Sequence, residues 1–389
     1  MYLSHIKLIN VRGFKELDLE LKPGVTVFAG ENAQGKTTIL ESIYLLAIAR
    51  SFRARNEREI VNWNASESLE SASIDATMFD GTNRHRIIIG YSPIQTQLLS
   101  TSSEKEHTNP IRKEIRIGGV RRTASDLVGL FNVVLFSADD IGLVQGSPSS
   151  RRRYIDILIS QANPIYMKNL QRYQKVLQQR NQLLKLLTEN RAKENELAFW
   201  DDELVREGIQ ITVDRSQAMS LIADFARIQH SELTHEIEDL ELIYQPNVAL
   251  DERNNNTFQD NFRSLLQSAR NRELALKTTV IGPHRDDFKL FVNGVDMNRY
   301  SSRGQARTLT LTLRLSEADY LSKMHGGPVV LLDDVLSELD APRRHQVLRK
   351  ALSYEQTLIT TTDLGFFSEE FLNEARVLKV RQGAVTDPV

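Results

Sequence analysis

A glycine-rich segment near the start of the chain constrains its fold more than any other feature. Residues 30–37 read Gly-Glu-Asn-Ala-Gln-Gly-Lys-Thr, an unbroken match to G-x-x-x-x-G-K-T. The β-branched stretch at 25–29 predicts a buried strand, and apolar residues at helical spacing after Thr37 predict a helix. A strand, a glycine loop and a helix N-terminus together direct several backbone N–H groups at one anion. The segment therefore predicts an α/β fold that binds a nucleoside triphosphate, with Lys36 at the terminal phosphates and Thr37 as a ligand of Mg²⁺.

Two adjacent carboxylates supply the second half of such a site. Asp333 ends an apolar run at 329–332, as a Walker B aspartate does, and Asp334 follows directly. Because Mg²⁺ prefers hard oxygen ligands, Asp333 is expected to bind the ion beside Thr37. Asp334 is expected to orient or deprotonate an attacking water, which makes it a catalytic candidate together with Lys36. The alternative is that the two acids only cap the next helix.

Two further segments flank this strand. Ser301-Ser302-Arg303-Gly304-Gln305 opens an amphipathic helix predicted over 306–324, and residues 335–340 read Val-Leu-Ser-Glu-Leu-Asp. This arrangement resembles the signature motif and D-loop of ABC-type ATPases, although Arg303 stands where glycine is usual. The resemblance implies that the serine and helix N-terminus of one subunit bind the γ-phosphate held by a second subunit. The nucleotide-contacting candidates on this side are Ser302, Arg303, Gly304, Gln305 and Asp340.

The composition of the 389-residue chain excludes several classes of protein. Hydrophobic residues make up 41%, enough for a packed core, and no cysteine is present to form disulfides or ligate a metal. There is no secretory h-region and no stretch of about 20 apolar residues, so we expect no membrane partner and a cytoplasmic location. The net charge is only −2, but arginines cluster at 50–58, 121–122 and 151–153. These clusters are either solvated loops or, in a dimer, one basic groove for DNA.

The order of elements predicts one split domain with an insertion. Strands are expected at 6–11, 16–21, 72–78, 86–90, 111–117 and 133–136, with an exposed loop at 96–110. Residues 165–207 and 209–245 lack Gly and Pro and carry apolar residues at helical intervals. Strands return at 287–292, before the hairpin signal Asn293-Gly294, and at 328–333 and 356–360. We therefore expect an ABC-type ATPase head with a mixed sheet over 1–163 and 277–389, and a short α-helical arm over 164–276 whose helices each extend about 40 Å.

Five motifs, in order over nearly the whole chain, carry a closer resemblance. Residues 10–14, 30–37, 282–287, 302–305 and 331–340 look like the motifs of the bacterial RecF family, whose short arm separates it from the long-armed SMC proteins. The resemblance implies an ATP-dependent protein of recombinational gap repair and replication restart that binds duplex DNA or a single-strand/duplex junction. It implies ATP and Mg²⁺ as cofactors, an ATP-dependent homodimer that clamps DNA, and a weak DNA-stimulated ATPase acting as a switch or timer. It further implies that RecR and RecO are partners, and that the protein promotes RecA loading at single-strand gaps and SOS induction.

The resemblance also assigns residues to the nucleotide, and some of them depart from the usual pattern. Asp334 stands where ordinary ABC proteins carry glutamate, a shorter reach that is compatible with slow hydrolysis. Thr362 replaces the switch histidine of transporters, 136–140 lacks the Q-loop glutamine, and Ala33 replaces a common glycine, which is tolerable if its φ stays negative. His284 and Arg285 form either a structured loop near the nucleotide or DNA path, or surface decoration. The implied ATP contacts outside the signature and D-loop are Arg12, Gly30, Glu31, Asn32, Ala33, Gln34, Gly35, Lys36, Thr37, Thr38 and Thr362.

Two other functions fit the phosphate loop alone. A small-molecule kinase would need an acceptor pocket and an arginine-rich lid, and it has no use for a signature motif or a D-loop. The ATPase subunit of a membrane importer, or of another ABC system, is disfavoured by Thr362 and by the arm. Stimulation of ATP turnover by DNA would separate the DNA-binding switch from both.

Overall fold

The computed structural model describes residues 1–94, 110–250 and 255–387. The chain forms two compact units, Met1–Ala138 with Leu321–Val389, and Asp139–Tyr320. The phosphate loop and the acidic pair belong to the first unit, and the signature segment belongs to the second. The division into a head and an arm at 164 and 276 stays a prediction. The loop predicted at 96–110 lies outside the described residues, except for Pro110.

An antiparallel sheet of six strands forms part of the first unit. Side chains of these strands alternate between buried and exposed positions, as on a sheet with one face against a core. The strands are β1 (Tyr2–Val11), β2 (Phe14–Glu20), β4 (Ala72–Phe79), β5 (Arg84–Pro93), β6 (Ile111–Ile117) and β7 (Val120–Arg122). Their order is β2-β1-β4-β5-β6-β7, and every neighbouring pair is antiparallel.

A second six-stranded sheet, which is mostly parallel, brings distant parts of the first unit together. Its strands are β3 (Gly24–Ala29), β8 (Val133–Ser137), β12 (Val329–Asp333), β13 (Gln356–Thr361), β14 (Ala375–Arg381) and β15 (Ala384–Thr386). Their order is β15-β14-β3-β13-β12-β8, and only β15 runs antiparallel to its neighbour. Since β3, β13 and β12 are parallel, their carboxyl ends lie at one edge, where open α/β sheets bind ligands. The phosphate loop and Asp333 therefore come from the same edge.

The helices of the first unit are short, except that the one after the phosphate loop and the one before β13 have 13 residues each. They are α1 (Lys36–Ile48), α2 (Trp63–Glu67), α3 (Ala124–Leu127), α12 (Ala341–Ser353) and α13 (Glu369–Glu374), with 3-10 turns at Glu57–Ile60, Val335–Glu338 and Leu364–Phe366. Nearly every residue of α1 is buried. A helix buried all round has no solvent face, so α1 is a central element of this unit.

The second unit is mainly helical. Its helices are α4 (Gly142–Gln145), α5 (Pro148–Ala162), α6 (Pro164–Thr188), α7 (Leu197–Thr234), α8 (Asn255–Ser268), α9 (Arg270–Leu276), α10 (Met297–Tyr300) and the first part of α11 (Arg303–His325), with 3-10 turns at Ala138–Ile141, Glu194–Glu196 and Pro283–Arg285. The 38 residues of α7 extend about 57 Å, more than the predicted 40 Å.

A small antiparallel sheet, β11-β10-β9, completes this unit. Its strands are β9 (Leu240–Gln245), β10 (Asp287–Val292) and β11 (Val295–Asp296). The hairpin predicted at Asn293-Gly294 is confirmed, because both residues have positive φ, 49° and 80°, as a type I′ turn requires. The prediction of helix up to residue 245 is wrong. Leu240 and Leu242 are buried and alternate with exposed residues, and this period-two pattern pairs β9 with β10.

Candidate nucleotide-binding site

The phosphate loop has the geometry of an anion cradle. The Lys36 ammonium donates to the carbonyl oxygens of Gly30 and Glu31 at 2.6 and 2.8 Å. An ammonium has three N–H donors, so one remains for a phosphate. Gly35 has a φ of 109°, which glycine adopts without strain. Alanine at position 33 was expected to be tolerable on the condition that its φ stays negative, and this condition is not met: its φ is 62°, so the loop holds an alanine in the left-handed conformation.

A turn from the other end of the chain supports this loop. The backbone N–H of Gln382 donates to the side-chain oxygen of Gln34 at 2.7 Å, and that of Gly383 donates to the Gln34 carbonyl at 3.3 Å. A Cβ at Gly30 would lie only 2.3 Å from the carbonyl oxygen of Val380, so glycine is required there. The turn between β14 and β15 is thus part of the site. The dipeptide Gln-Gly between two apolar strands is the sequence signal for it.

The acidic edge of the cavity is built by hydroxyl groups as well as carboxylates. The Thr37 hydroxyl donates to Asp333 Oδ1 at 2.8 Å, and the Thr360 hydroxyl donates to the same oxygen at 2.9 Å. The Asp334 N–H donates to the Thr360 hydroxyl at 3.0 Å. Sequence reasoning missed Thr360, which reaches the site because β13 pairs in register with β12 at Asp333. These contacts bring both halves of the predicted site together.

Burial shifts the pKa values of the ionisable groups at this edge. Burial raises the pKa of Asp333, and the hydrogen bonds from Thr37 and Thr360 oppose this. Burial also raises the pKa of Asp334, and the Lys36 charge opposes it. The pKa of Lys36 is lowered by burial. A bound cation would stabilise both carboxylates in their charged form, and a carboxylate of raised pKa is a better proton acceptor near neutral pH.

These residues enclose a cavity of about 470 Å³, within the range of small-molecule sites. Arg53 is one of its lining residues, and its charge lowers the pKa of Asp333. The arginine cluster at 50–58 was expected to form either a solvated loop or part of a DNA groove, but the structure places Arg53 at the nucleotide cavity. The lining residues are Gly13, Asn32, Ala33, Gln34, Gly35, Lys36, Thr37, Thr38, Arg53, Asp334, Thr360, Gln382 and Gly383.

Arg12 and Thr362 lie outside this lining, although both were expected at the nucleotide. The Arg12 guanidinium donates to the Glu41 carboxylate at 2.8 and 3.1 Å, so it is held against α1. Thr362 is exposed and follows β13, one position beyond the last residue of that strand. Gly13 reaches the cavity instead of Arg12, and Thr360 reaches it instead of Thr362.

The signature segment, in the second unit, is an exposed helix start. The Ser302 hydroxyl accepts from the Gln305 N–H at 3.2 Å, and the Gln305 side chain accepts from the Ser302 N–H at 3.0 Å. This reciprocal pair is a capping box. Ser302, Arg303 and Gly304 are exposed, so the N-terminus of α11 is open to a ligand. The Gln145 amide donates to the Ser301 carbonyl at 2.9 Å and fixes the loop before it.

Two other predicted features have structural roles in the described chain. Asp340 caps α12 by accepting from the Arg343 N–H at 3.0 Å, and it also remains exposed. The Tyr173 hydroxyl lies 2.6 Å from His284 Nδ1, and His284 Nε2 donates to the Thr279 carbonyl at 3.0 Å, so the ring is fixed. Burial lowers the pKa of His284 to about 4, so the ring is neutral at neutral pH. The loop around His284 is an internal anchor of the second unit and not surface decoration.

The arginine cluster at 151–153 is not a free basic surface. Arg151 is 5% exposed, and its guanidinium donates to both oxygens of Asp287 at 2.6 and 2.8 Å. Arg152 donates to the carbonyl oxygen of Asp286 at 2.8 Å. Because they are held in these contacts, neither side chain is available to neutralise DNA phosphates.

The residues present fit a magnesium nucleotide. Thr37 and Asp333 place two hard oxygens 2.8 Å apart beside the cradle of Lys36, and Mg²⁺ sites at nucleotides commonly use one or two protein oxygens plus phosphates. No group of three or more His, Cys, Asp or Glu side chains that could hold a metal ion occurs among the described residues. None of the helices in the described part of the chain has the length and apolar character to cross a membrane.

Comparison with known proteins decides the family. The family profile described as RecF/RecN/SMC N terminal domain matches residues 2–386. A DNA replication and repair protein RecF from Exiguobacterium sp. is 36% identical over 387 residues, 99% of each chain. The chain belongs to the RecF family.

Solved structures of similar proteins agree with this membership. The recombination mediator protein RecF in its ATP form, from the RecFOR pathway, is 31% identical with a TM-score of 0.87, and the match covers 100% of this chain and 98% of that one. An Smc head domain from Pyrococcus furiosus, 15% identical with a TM-score of 0.54 over 99% of this chain and 95% of its own, shares the fold. The predicted ABC-type head with a mixed sheet and the predicted resemblance to the RecF family are confirmed.

Proposed function

We propose that this chain is a cytoplasmic, ATP-dependent DNA-binding protein of DNA replication and recombinational gap repair. The observation that carries the proposal is the 2.8 Å contact between Thr37 and Asp333, because it joins the two halves of a nucleotide site. Its relatives support the biological setting, since they are named DNA replication and repair protein RecF. The same geometry supports ATP as the cofactor, and so does the solved structure of a relative in its ATP form.

Different residues of the first unit bind the phosphates of ATP and its magnesium ion. The loop N–H groups and the N-terminus of α1 receive the phosphates, and Lys36 directs its remaining donor at the terminal ones. Thr37 and Asp333 hold Mg²⁺, which neutralises phosphate charge when bound. The turn at Gln382 and Gly383 keeps the loop in place through Gln34.

ATP hydrolysis in this protein is slow and serves as a switch or timer. Asp334 is the group that accepts a proton from the attacking water. Its side chain is one methylene shorter than the glutamate of ordinary ABC proteins, so the water is held less closely. Its backbone is left-handed, with a φ of 52°, a strained conformation of the kind found at functional sites.

ATP also pairs two copies of the chain. The exposed start of α11, with Ser302, Arg303 and Gly304, binds the γ-phosphate held by the second copy, and Asp340 lies at the same interface. The closed pair holds DNA, and with RecR and RecO it promotes RecA loading at single-strand gaps and SOS induction.

The decisive experiment measures DNA binding with ATP, with ADP and without nucleotide, across duplex, single-stranded and junction DNA at several salt concentrations. We expect tight binding only with ATP, and DNA-stimulated turnover. Lys36→Ala is expected to lose ATP binding and the ATP-dependent part of DNA binding, whereas Lys36→Arg keeps ATP but stops turnover, because a guanidinium has the charge without the geometry. DNA binding that ignores the nucleotide, or normal turnover in Lys36→Arg, would contradict the proposal.

A further inference from the structure

A second cavity in the first unit, of about 480 Å³, has a strongly basic lining. It lies between the end of α1, the strands β6 and β7, and the start of α3. Its described lining residues are all different from those of the nucleotide cavity. We call it the cationic cavity. Its lining residues are Ala49, Arg50, Glu57, Arg112, Lys113, Glu114, Ile115, Arg121, Arg122, Thr123 and Ala124.

The two carboxylates of this cavity are already engaged. Glu114 pairs with Arg121 and with the neighbouring Arg116, and Glu57 pairs with Lys113 at 3.0 Å. By contrast, Arg50, Arg112 and Arg122 are exposed and form no ion pair within the described part of the chain. Three uncompensated arginines at one place form a local positive field in a chain whose net charge is −2.

The scaffold under these arginines is rigid. The Lys113 ammonium donates to the carbonyl oxygen of Ala49, the residue that caps the buried helix α1, at 2.5 Å. Arg112 pairs with Ser92 of β5, and Arg122 pairs with Ile115 of β6. Charges fixed on strands are positioned more precisely than charges on loops, as a repeated phosphate pattern requires.

We propose that the cationic cavity binds backbone phosphates of duplex DNA. The inference rests on the proposed function, and it names the DNA form and the surface. Arginines without a partner carboxylate suit phosphate oxygens, and such contacts do not depend on base sequence. The lining residues that the structure describes include no aromatic side chain, whereas single-strand binding relies on bases stacked on aromatic rings. The cavity therefore selects duplex over single strands.

The first test compares two double variants that lose the same charge. The double variant Arg112→Gln, Arg122→Gln removes two guanidinium groups from the lining of the cationic cavity. Arg84→Gln with Lys22→Gln is the control, because Arg84 begins β5 at the end remote from Ser92, about 27 Å along the strand, and both side chains are exposed. Each lost phosphate contact should lower the log–log salt slope on duplex DNA by about 0.9, so we expect a fall of about 1.8 only in the first variant, with ATP affinity unchanged in both.

The second test uses the absence of native cysteine. Ala124→Cys places a single thiol at the cavity, and Arg84→Cys places one on the same sheet outside it. After attachment of a photoactivatable crosslinker, duplex DNA with ATP should crosslink to the first variant and not to the second. An unchanged salt slope in the cavity variant, an equal fall in the control, or equal crosslinking would overturn the inference. A wild-type chain that binds no DNA form with ATP would instead overturn the proposed function.

Discussion

At the scale of single residues, the nucleotide cavity stores backbone strain. Ala33 and Asp334 both have positive φ, 62° and 52°, and neither is glycine. Such a conformation costs an alanine roughly 1 kcal/mol, because its Cβ approaches the following carbonyl oxygen. The phosphate loop and the carboxyl end of β12 therefore hold conformations that the rest of the fold must impose.

Ala33→Gly should relieve this strain. We expect the free energy of unfolding to rise by about 1 kcal/mol, since glycine adopts a positive φ without a Cβ clash, although the more flexible unfolded chain offsets part of the gain. Ala47→Gly is the matched control: Ala47 lies in the last turn of α1 and is buried, so the same change should destabilise by about 1 kcal/mol or more. Denaturant titration of both variants measures the effect, and a loss of stability in Ala33→Gly would contradict the strain.

Asp334→Asn should separate ATP binding from hydrolysis. Asparagine tolerates the left-handed conformation as well as aspartate does, so the backbone is expected to remain in place. Without the carboxylate no group accepts the proton from water, and we expect turnover to fall at least 100-fold while ATP and DNA remain bound for longer. Asp333→Asn is the contrasting variant, which should lose Mg²⁺-dependent ATP binding itself. Unchanged turnover in Asp334→Asn would remove this residue from the chemistry.

The sequence predicts the residues of the loop and the acidic pair, but not the contacts that position them. Lys36, Thr37 and Asp333 follow from local motifs: the first two line the cavity, and Asp333 accepts from the Thr37 hydroxyl beside it. Thr360 and Gln382 could not be assigned, because strand register and the pairing of β14 with β3 decide their place. The positive φ of Ala33 could not be predicted either, since tertiary support overrides the steric preference of alanine.

At the scale of elements, one buried arginine links three helices of the second unit. Arg180 of α6 is fully buried, and it donates to Asp201 of α7 at 2.8 Å and to Glu273 of α9 at 2.6 Å. It also donates to the Thr279 hydroxyl at 2.7 Å. Glu273 is itself buried, so the pair has no access to water when one member is lost.

Arg180→Leu should therefore destabilise the second unit strongly. Removing one partner leaves the Glu273 carboxylate buried and unpaired, which costs about 3–5 kcal/mol. Arg191→Leu is the matched control, because that side chain is 70% exposed in its pair with Glu189, and its loss should cost less than about 1 kcal/mol. Thermal melts followed by circular dichroism compare the two, and similar shifts would show that the buried pair contributes little.

His284 should make the stability of this unit depend on pH. Burial is the main cause that lowers its pKa from 6.5 to about 4. Between these values the unfolded chain takes up a proton that the folded chain does not, so the free energy of unfolding is retained above pH 6.5 and falls as the pH drops towards 4. The full loss is roughly 3 kcal/mol. The free energy of unfolding of His284→Asn should not show this fall between pH 6.5 and 4. Identical pH profiles of the unfolding free energy for the wild-type protein and the variant would contradict the prediction.

Helices and strands were predictable where apolar residues recurred at a single spacing. They were less predictable where a helical spacing was followed closely by the alternation of a strand. The strands β4, β6 and β10 and the turn at Asn293-Gly294 agree with their predicted positions. The end of α7 was missed because His235 adopts the left-handed capping conformation without being glycine, and no proline follows. The strand β9 begins at Leu240, only a short connection after the end of α7, and was therefore included in the helical range.

At the scale of the whole molecule, the exposed start of α11 makes a second copy part of the proposed function. Ser302→Arg should block ATP-dependent pairing, because a bulky side chain then covers the helix N-terminus. Ser302 also caps α11, so Ser302→Asp is a useful companion: it keeps the cap and repels phosphate by its charge. We expect wild-type protein to be monomeric without ATP and dimeric with it, and both variants to stay monomeric while still binding ATP. Light scattering measures this, and a dimer that ignores ATP and survives both changes would refute it.

The order of strands around the phosphate loop sets a limit on when this protein can begin to work. β3 lies between β13 and β14, which the ribosome makes more than 320 residues later. Until those strands arrive, the strand that leads into the loop has neither of its sheet neighbours, and Gln34 lacks the turn that holds it. A nascent chain that has left the ribosome only as far as α11 should therefore be unable to retain ATP. Synthesis of the last strands, and not of the glycine-rich motif itself, completes the nucleotide site.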